Sequence, residues 1–163
     1  MGVKVESLSA LNNLAGTEFA VTEWVTITQE RIQHFADATG DRQWIHVDAE
    51  RAARESPHGA TIAHGFLTLS LLSEFMNQAI ELPSTVKMRI NYGLNRVRFP
   101  SPVKANSRIR ARITLLSTRN VGDAVEAEFQ VTIEAEGGQK PCCVADWLLR
   151  YYPLEAKASQ VGS

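Results

Sequence analysis

From residue 84 onward the apolar positions of this chain recur at every second residue. Val86, Met88, Ile90 and Tyr92 alternate with polar neighbours, and the same period runs through residues 94–99, 107–118, 124–134 and 141–151. A period of two sends successive side chains to opposite faces of a strand. Val121-Gly122-Asp123 and Gly137-Gly138 supply turn chemistry between the later runs, so these segments predict an antiparallel meander. The first half keeps a different period. Residues 8–14 suggest a short helix and 19–26 a first strand. Ile32, Phe35, Ala36 and Thr39 then recur at helical spacing behind Thr28, a hydroxyl N-cap, until Gly40 ends the run. Asp48 caps a second short helix over 49–54. Residues 65–82 are apolar around most of a helical circumference, which marks a helix buried by its neighbours. Their one polar stripe is Ser70, Glu74, Asn77, Gln78 and Glu81. An apolar helix followed by long antiparallel strands has an economical solution: an α+β fold whose sheet curls around the helix.

Composition narrows the class. At 163 residues the chain can bury roughly two-thirds of its unfolded surface in one core, so one domain over 1–153 with a disordered tail over 154–163 is expected. Hydrophobic and charged fractions of 44% and 21% are those of an ordinary globular protein. No apolar stretch approaches the ~20 residues of a membrane span, and no apolar run behind a basic start marks a secretory signal. A cytoplasmic protein without membrane association is the expectation. Met1-Gly2 opens like a myristoylation signal, but Glu6 stands where that signal needs Ser or Thr. Cys142 and Cys143 are adjacent, which suits neither a disulfide nor spaced zinc ligands. They read as buried thiols on a strand.

Charge adds an asymmetry. Between Pro83 and Gly122 stand nine basic residues, Lys87, Arg89, Arg96, Arg98, Lys104, Arg108, Arg110, Arg112 and Arg119, and no acidic one. A one-signed segment in a near-neutral chain suggests a phosphate-bearing ligand. Alternatively, Arg108, Arg110 and Arg112 alternate with Ile109, Ala111 and Ile113 and are simply the wet face of a strand. No nucleic-acid motif accompanies them.

The chemistry concentrates in two short segments. Asp41 and His46 follow the helix-breaking Gly40, and a loop can fold both side chains onto one point. A carboxylate and an imidazole converging on a water form a general acid/base pair, because histidine titrates near the working pH. Taken alone, an Asp and a His at this spacing are more often loop polar groups than a dyad. The second segment, Ala63-His64-Gly65-Phe66, lies at the mouth of the apolar helix. No metal is expected: there is no His-Glu-x-x-His and no cysteine pair at ligand spacing.

Three motifs in order carry a resemblance. They are Phe35-Ala36-Asp37-Ala38-Thr39-Gly40-Asp41-Arg42-Gln43-Trp44-Ile45-His46, then Ile62-Ala63-His64-Gly65-Phe66, then Asn91-Tyr92-Gly93-Leu94-Asn95-Arg96-Val97-Arg98-Phe99-Pro100. Together they resemble the MaoC-like dehydratases, the (R)-specific enoyl-CoA hydratases, and within them the nodulation-protein-N-like branch. The resemblance implies the hot-dog fold, a homodimer with active sites near the interface, and reversible syn addition of water to a trans-2-enoyl-CoA, giving the (3R)-hydroxyacyl-CoA. No cofactor is implied, coenzyme A being part of the substrate.

By the same resemblance Asp41 and His46 match the catalytic pair, and Gly65 matches the backbone donor to the thioester oxygen. Ile62, Ala63 and His64 flank that donor, with His64 in a structural position, and Ser73 matches a serine that orients the catalytic loop or acyl chain. Asn91, Tyr92, Arg98, Pro100, Ser101 and Pro102 match the coenzyme-binding strand. The chain departs from the family at Gln43-Trp44, where many members have Asn-Pro. Proline would stiffen the loop, so packing of Trp44 is expected to hold it here. The alternatives are a hot-dog thioesterase, which works with a single carboxylate, and a non-catalytic acyl-CoA-binding subunit.

Overall fold

The structure, a computed structural model, describes residues 2–154. The expected tail falls outside them from residue 155 onward. In chain order the elements are β1 (Val3–Lys4), a 3-10 helix (Ser9–Leu14), β2 (Glu18–Val21), β3 (Val25–Ile27), α1 (Gln29–Thr39), α2 (Trp44–Val47) and α3 (Ala49–Glu55). There follow α4 (Gly65–Ser70), α5 (Leu72–Ala79), β4 (Ile80–Glu81), β5 (Val86–Arg98), β6 (Ser107–Val121), β7 (Ala124–Ala135) and β8 (Cys143–Pro153).

The principal sheet is antiparallel in the order β2-β6-β7-β8-β5, with β3 also paired to β6. The two apolar runs expected over 86–99 are one strand, β5, with register shifts around Asn91/Gly93; such bulges sharpen twist and help a sheet curl. The first strand is instead split. At the break the Thr22 amide donates to the Ala111 carbonyl at 2.9 Å, and the Thr22 hydroxyl accepts from the Ala111 amide at 2.9 Å. The side chain thereby satisfies a strand amide while the backbone turns from β2 to β3.

One face of the sheet wraps the apolar helix. Leu67, Leu71, Leu72, Phe75 and Met76 share a core with Ile109, Ala111, Ile113, Leu115, Phe129, Val131 and Leu149. This is the hot-dog arrangement, and burial of each large side chain contributes roughly 1.5–3 kcal/mol. The helix is shorter than its apolar pattern. It is jointed at Leu71, whose amide donates to the Thr68 carbonyl in place of a regular α-helical bond. It ends at Ala79 because Ile80 and Glu81 pair in parallel with Val3 and Lys4. The polar stripe anchors it: Arg31 bonds Glu74, Arg89 donates to Asn77 at 2.7 Å, and the Glu23 amide donates to Gln78 at 3.1 Å.

The opposite face of the sheet carries rows of paired charge. Arg108 pairs with Glu136, Arg110 with Glu134, Arg112 with Glu18 and Arg96 with Asp146. Glu126, only 3% exposed, receives both Arg119 and Arg150, and the Arg150 guanidinium foremost holds its carboxyl below the ordinary range. Arg108, Arg110 and Arg112 are thus the outer face of a strand. Lys87, Arg98 and Lys104 have no carboxylate partner among the described residues.

Candidate active site

Local backbone chemistry brings the two motifs together. Thr28 caps α1 by accepting from the Arg31 amide at 3.1 Å, and Gly40 stops it in the left-handed region at φ 78°, a conformation glycine adopts without steric cost. The chain then turns through Asp41. His46 sits on the single helical turn α2 rather than on open loop. Asp48 begins α3 by accepting from the Arg51 amide at 2.9 Å, which fixes the far side of that turn. The Gln43-Trp44 departure has a local answer: the Arg51 guanidinium lies 4.5 Å over the Trp44 ring, and Arg51 also bonds Glu55 at 2.8 Å.

His46 is buried, and its Nδ1 stands 2.7 Å from the Ile62 carbonyl. A carbonyl only accepts, so Nδ1 carries the proton and the Nε2 lone pair is left free in the neutral ring. Burial lowers the His46 pKa from 6.5, against the raising effect of the Ile62 bond; neighbouring His64 lowers it further and Asp41 raises it. The ring is therefore neutral at physiological pH. His64 stacks on it with centroids 3.8 Å apart and planes 25° apart, and His64 Nε2 donates to the Asp41 backbone carbonyl at 2.9 Å. His64 thus ties the Asp41 loop to the His46 ring, and its buried Nδ1 has no partner among the described residues.

Asp41, His46 and His64 each bring one ligand-capable atom to within 4.8 Å of the others. A single water, making two hydrogen bonds of about 2.8 Å, spans such a gap between carboxylate and imidazole. A metal suits the set poorly. Imidazole lone pairs lie in the ring plane, so two rings stacked nearly parallel cannot both aim at one ion.

A cavity of about 290 Å³ opens beside His46, lined by Ile62, Ala63, Gly65, Thr68, Phe99, Pro100, Ser101, Pro102, Val103 and Cys142. Gly65 is the first residue of α4, so its N–H has no carbonyl one turn back to bond. A Cβ at Gly65 would meet the Phe99 ring at 3.0–3.2 Å, so only glycine packs there without displacing it. Burial pushes the Cys142 thiol up to about 11.

The structure thus gathers Asp41, His46, Ile62, Ala63, His64, Gly65, Pro100, Ser101 and Pro102 around one site. Ser73, Asn91 and Tyr92 line a second cavity of about 240 Å³ with Leu69, Ser70, Leu72, Gly93, Leu94 and Trp147. Arg98 lines neither. Sequence reasoning missed Phe99 as the wall facing Gly65, and it missed Gln29. The Gln29 Nε2 donates to the His46 carbonyl at 2.7 Å, and its Oε1 accepts from the buried Thr61 hydroxyl. No spacing signal points from residue 29 to 46; Gln29 reads only as the first residue of a helix.

A family model described as MaoC like domain matches residues 11–137. Among curated proteins, 3-hydroxyacyl-thioester dehydratase Z of Mycobacterium tuberculosis (strain ATCC 25618 / H37Rv) is 51% identical over 147 residues, 90% of this chain and 96% of that protein. Nodulation protein N of Rhizobium leguminosarum bv. viciae is 46% identical, covering 87% of this chain and 89% of its own. Among solved structures, the unliganded R-hydratase PhaJ1 from Pseudomonas aeruginosa superposes with a TM-score of 0.65 at 24% identity, over 83% of this chain and 80% of that one.

Proposed function

The chain belongs to the MaoC-like domain family, and from that premise we propose that it is a hydro-lyase, an (R)-specific enoyl-CoA hydratase interconverting trans-2-enoyl-CoA and (3R)-hydroxyacyl-CoA. The observation that carries the reading is the tautomer of His46: a neutral ring with Nδ1 bonded to Ile62, which leaves Nε2 free, on a residue that lies beside Asp41 and lines the Gly65 cavity. In this reading a water is held between the Asp41 carboxylate, which accepts one of its hydrogens, and His46 Nε2, which removes the other as the oxygen adds to C3. The electron pair of the C2–C3 double bond moves toward the thioester oxygen. There the Gly65 N–H, at the start of α4, receives the developing charge. His46 then returns the proton to C2 on the same face, giving net syn addition. No cofactor enters, and coenzyme A is part of the substrate.

A single domain over residues 1–153 and a homodimer are part of the proposal, and two features support the homodimer. The sheet ends at β5, whose outer edge is unpaired among the described residues. That strand exposes Met88, Ile90, Tyr92 and Leu94, and an apolar open edge of this kind invites a second strand. No helix of the described residues is long and apolar enough to cross a membrane, and a cytoplasmic location is part of the proposal.

The test is to mix purified protein with crotonyl-CoA, follow loss of the enoyl-thioester ultraviolet absorbance, and analyse the product on a chiral column. A (3R)-hydroxybutyryl product is expected. Free coenzyme A without hydroxyacyl product would instead identify a thioesterase, an (S) product would overturn the stereochemistry, and binding without turnover of any chain length would leave only an acyl-CoA-binding subunit.

A further inference from the structure

We propose that Gln29, held by Thr61, is a positioning residue that sets the orientation of the His46 imidazole. The proposal rests on the reading of His46 as the base. Neither Gln29 nor Thr61 touches the cavity beside His46, yet both turn toward the backbone that carries the ring. The polarity of the contacts is fixed by chemistry alone. The His46 carbonyl can only accept, so the Gln29 amide must present Nε2 to it, at 2.7 Å. Oε1 then faces Thr61, and the Thr61 hydroxyl must be the donor. The Thr61 carbonyl in turn accepts from the Ala105 amide at 2.9 Å.

The same short segment holds the histidine from its other side. The Ile62 amide donates to the Ile45 carbonyl at 3.0 Å, and the Ile62 carbonyl receives the His46 ring at 2.7 Å. Residues 61 and 62 therefore grip α2 at three points: the Ile45 carbonyl, the His46 carbonyl through Gln29, and the imidazole itself. Three directional bonds on a single helical turn leave the ring little freedom to rotate or slide. A turn of four residues has almost no internal hydrogen bonding of its own to do this. Without Gln29 the turn is free to move away from Ile62. The ring then loses the bond that keeps the proton on Nδ1, and Nε2 ceases to be reliably the basic nitrogen.

The experiment compares Gln29→Ala, Gln29→Glu, Thr61→Ser and Thr61→Val with the wild-type protein. The readouts are kcat and KM on crotonyl-CoA, the His46 ring tautomer by nitrogen-15 NMR, and the thermal unfolding midpoint. Gln29→Glu is the discriminating variant. It keeps the size and the acceptor for Thr61 but sets a carboxylate oxygen against the His46 carbonyl. We expect kcat to fall about 10- to 100-fold in both Gln29 variants, as displacements of about an ångström do, with KM within about twofold. Thr61→Ser is expected to stay near wild type and Thr61→Val to follow Gln29→Ala. The Nδ1–H tautomer should give way to a mixture in every slow variant.

Both changes are required. A kcat for Gln29→Glu within about twofold of wild type, or an unchanged tautomer, overturns the proposal. So does a loss confined to KM or to the unfolding midpoint. If wild-type protein shows no turnover, the hydratase reading fails on its own account and the tautomer alone decides the clamp. Should the Gln29 variants not fold, the contrast between Thr61→Ser and Thr61→Val decides it by the same measurements.

Discussion

Replacing Gly65 by alanine separates the packing demand on that position from its chemical one. The added Cβ would stand 3.0 Å from Cδ2 of Phe99 and 3.1 Å from Cγ, against an optimal carbon–carbon separation of about 3.5–4.0 Å. The ring must retreat by roughly half an ångström or more. It can do so, because Phe99 is 40% exposed and meets Phe66 only edge-on, at 6.1 Å between centroids. The cost in stability is therefore expected near the low end of overpacking, about 1 kcal/mol, small against the ~5–15 kcal/mol that holds a domain folded. The catalytic effect is larger. Gly65 and Phe99 line the same cavity, so the methyl or the displaced ring occupies the approach of the thioester to the Gly65 N–H. Loss of one such donor costs about 10²–10³ in rate, or about 2.7–4 kcal/mol.

The assay is kcat/KM on crotonyl-CoA for Gly65→Ala, alone and combined with Phe99→Ala, with thermal unfolding alongside. A single variant within about threefold of wild type would refute the placement of the thioester at Gly65. Full recovery in the double variant would show that the methyl acts only by pushing the ring.

Five further outcomes are expected. Asp41→Asn and His46→Gln should each lower kcat by about 10²–10⁴ without shifting the unfolding midpoint by more than a few degrees; a variant retaining its rate removes that residue from the reaction. Because burial lowers the His46 pKa below 6.5 and the proposed mechanism uses the neutral ring as base, kcat/KM should fall on the acid side with a limb centred below pH 6.5, and a limb above that value refutes the assignment. The same shift lowers stability as pH drops from 6.5 toward the folded pKa, since the unfolded ring binds its proton first; a midpoint that rises over that window contradicts it. With its thiol pushed up to about 11, Cys142 should resist iodoacetamide in folded protein at pH 7.5 and react once unfolded, as intact mass reads directly. Finally, Ile90→Lys combined with Leu94→Lys should convert a dimer to a monomer in sedimentation velocity, and a surviving dimer would place the interface elsewhere.

Much of this architecture was legible because single residues announce it. Thr28, Gly40 and Asp48 bound their helices as capping chemistry predicts, and period two located β5 to β8 to within a few residues. What failed had a common cause in partners remote along the chain. The apolar helix stops at Ala79 because Val3 and Lys4 claim Ile80 and Glu81 for a strand, and no local pattern records that. For the basic segment two readings stood side by side, because a sequence does not show that Glu134 and Glu136 lie across the strand from Arg110 and Arg108. At the site, Asp41, His46 and Gly65 were readable from motifs. The separation of Ser73, Asn91 and Tyr92 into another cavity was not, since one bulged strand serves both places.

The charge rows on the outer wall also bear on how the protein responds to salt. An arginine that already faces a carboxylate across a strand holds little counterion atmosphere to shed when a polyanion arrives. Arg108, Arg110, Arg112 and Arg119 are in that state, so on the proposed function ionic strength should act on substrate capture chiefly through cations without a carboxylate partner, such as Arg98 and Lys104. A stretch that is densely basic as a string of residues is close to electrically silent as a surface, and the KM for a phosphate-bearing substrate should rise only shallowly as the Debye length shrinks from about 10 Å at 0.1 M salt to about 3 Å at 1 M.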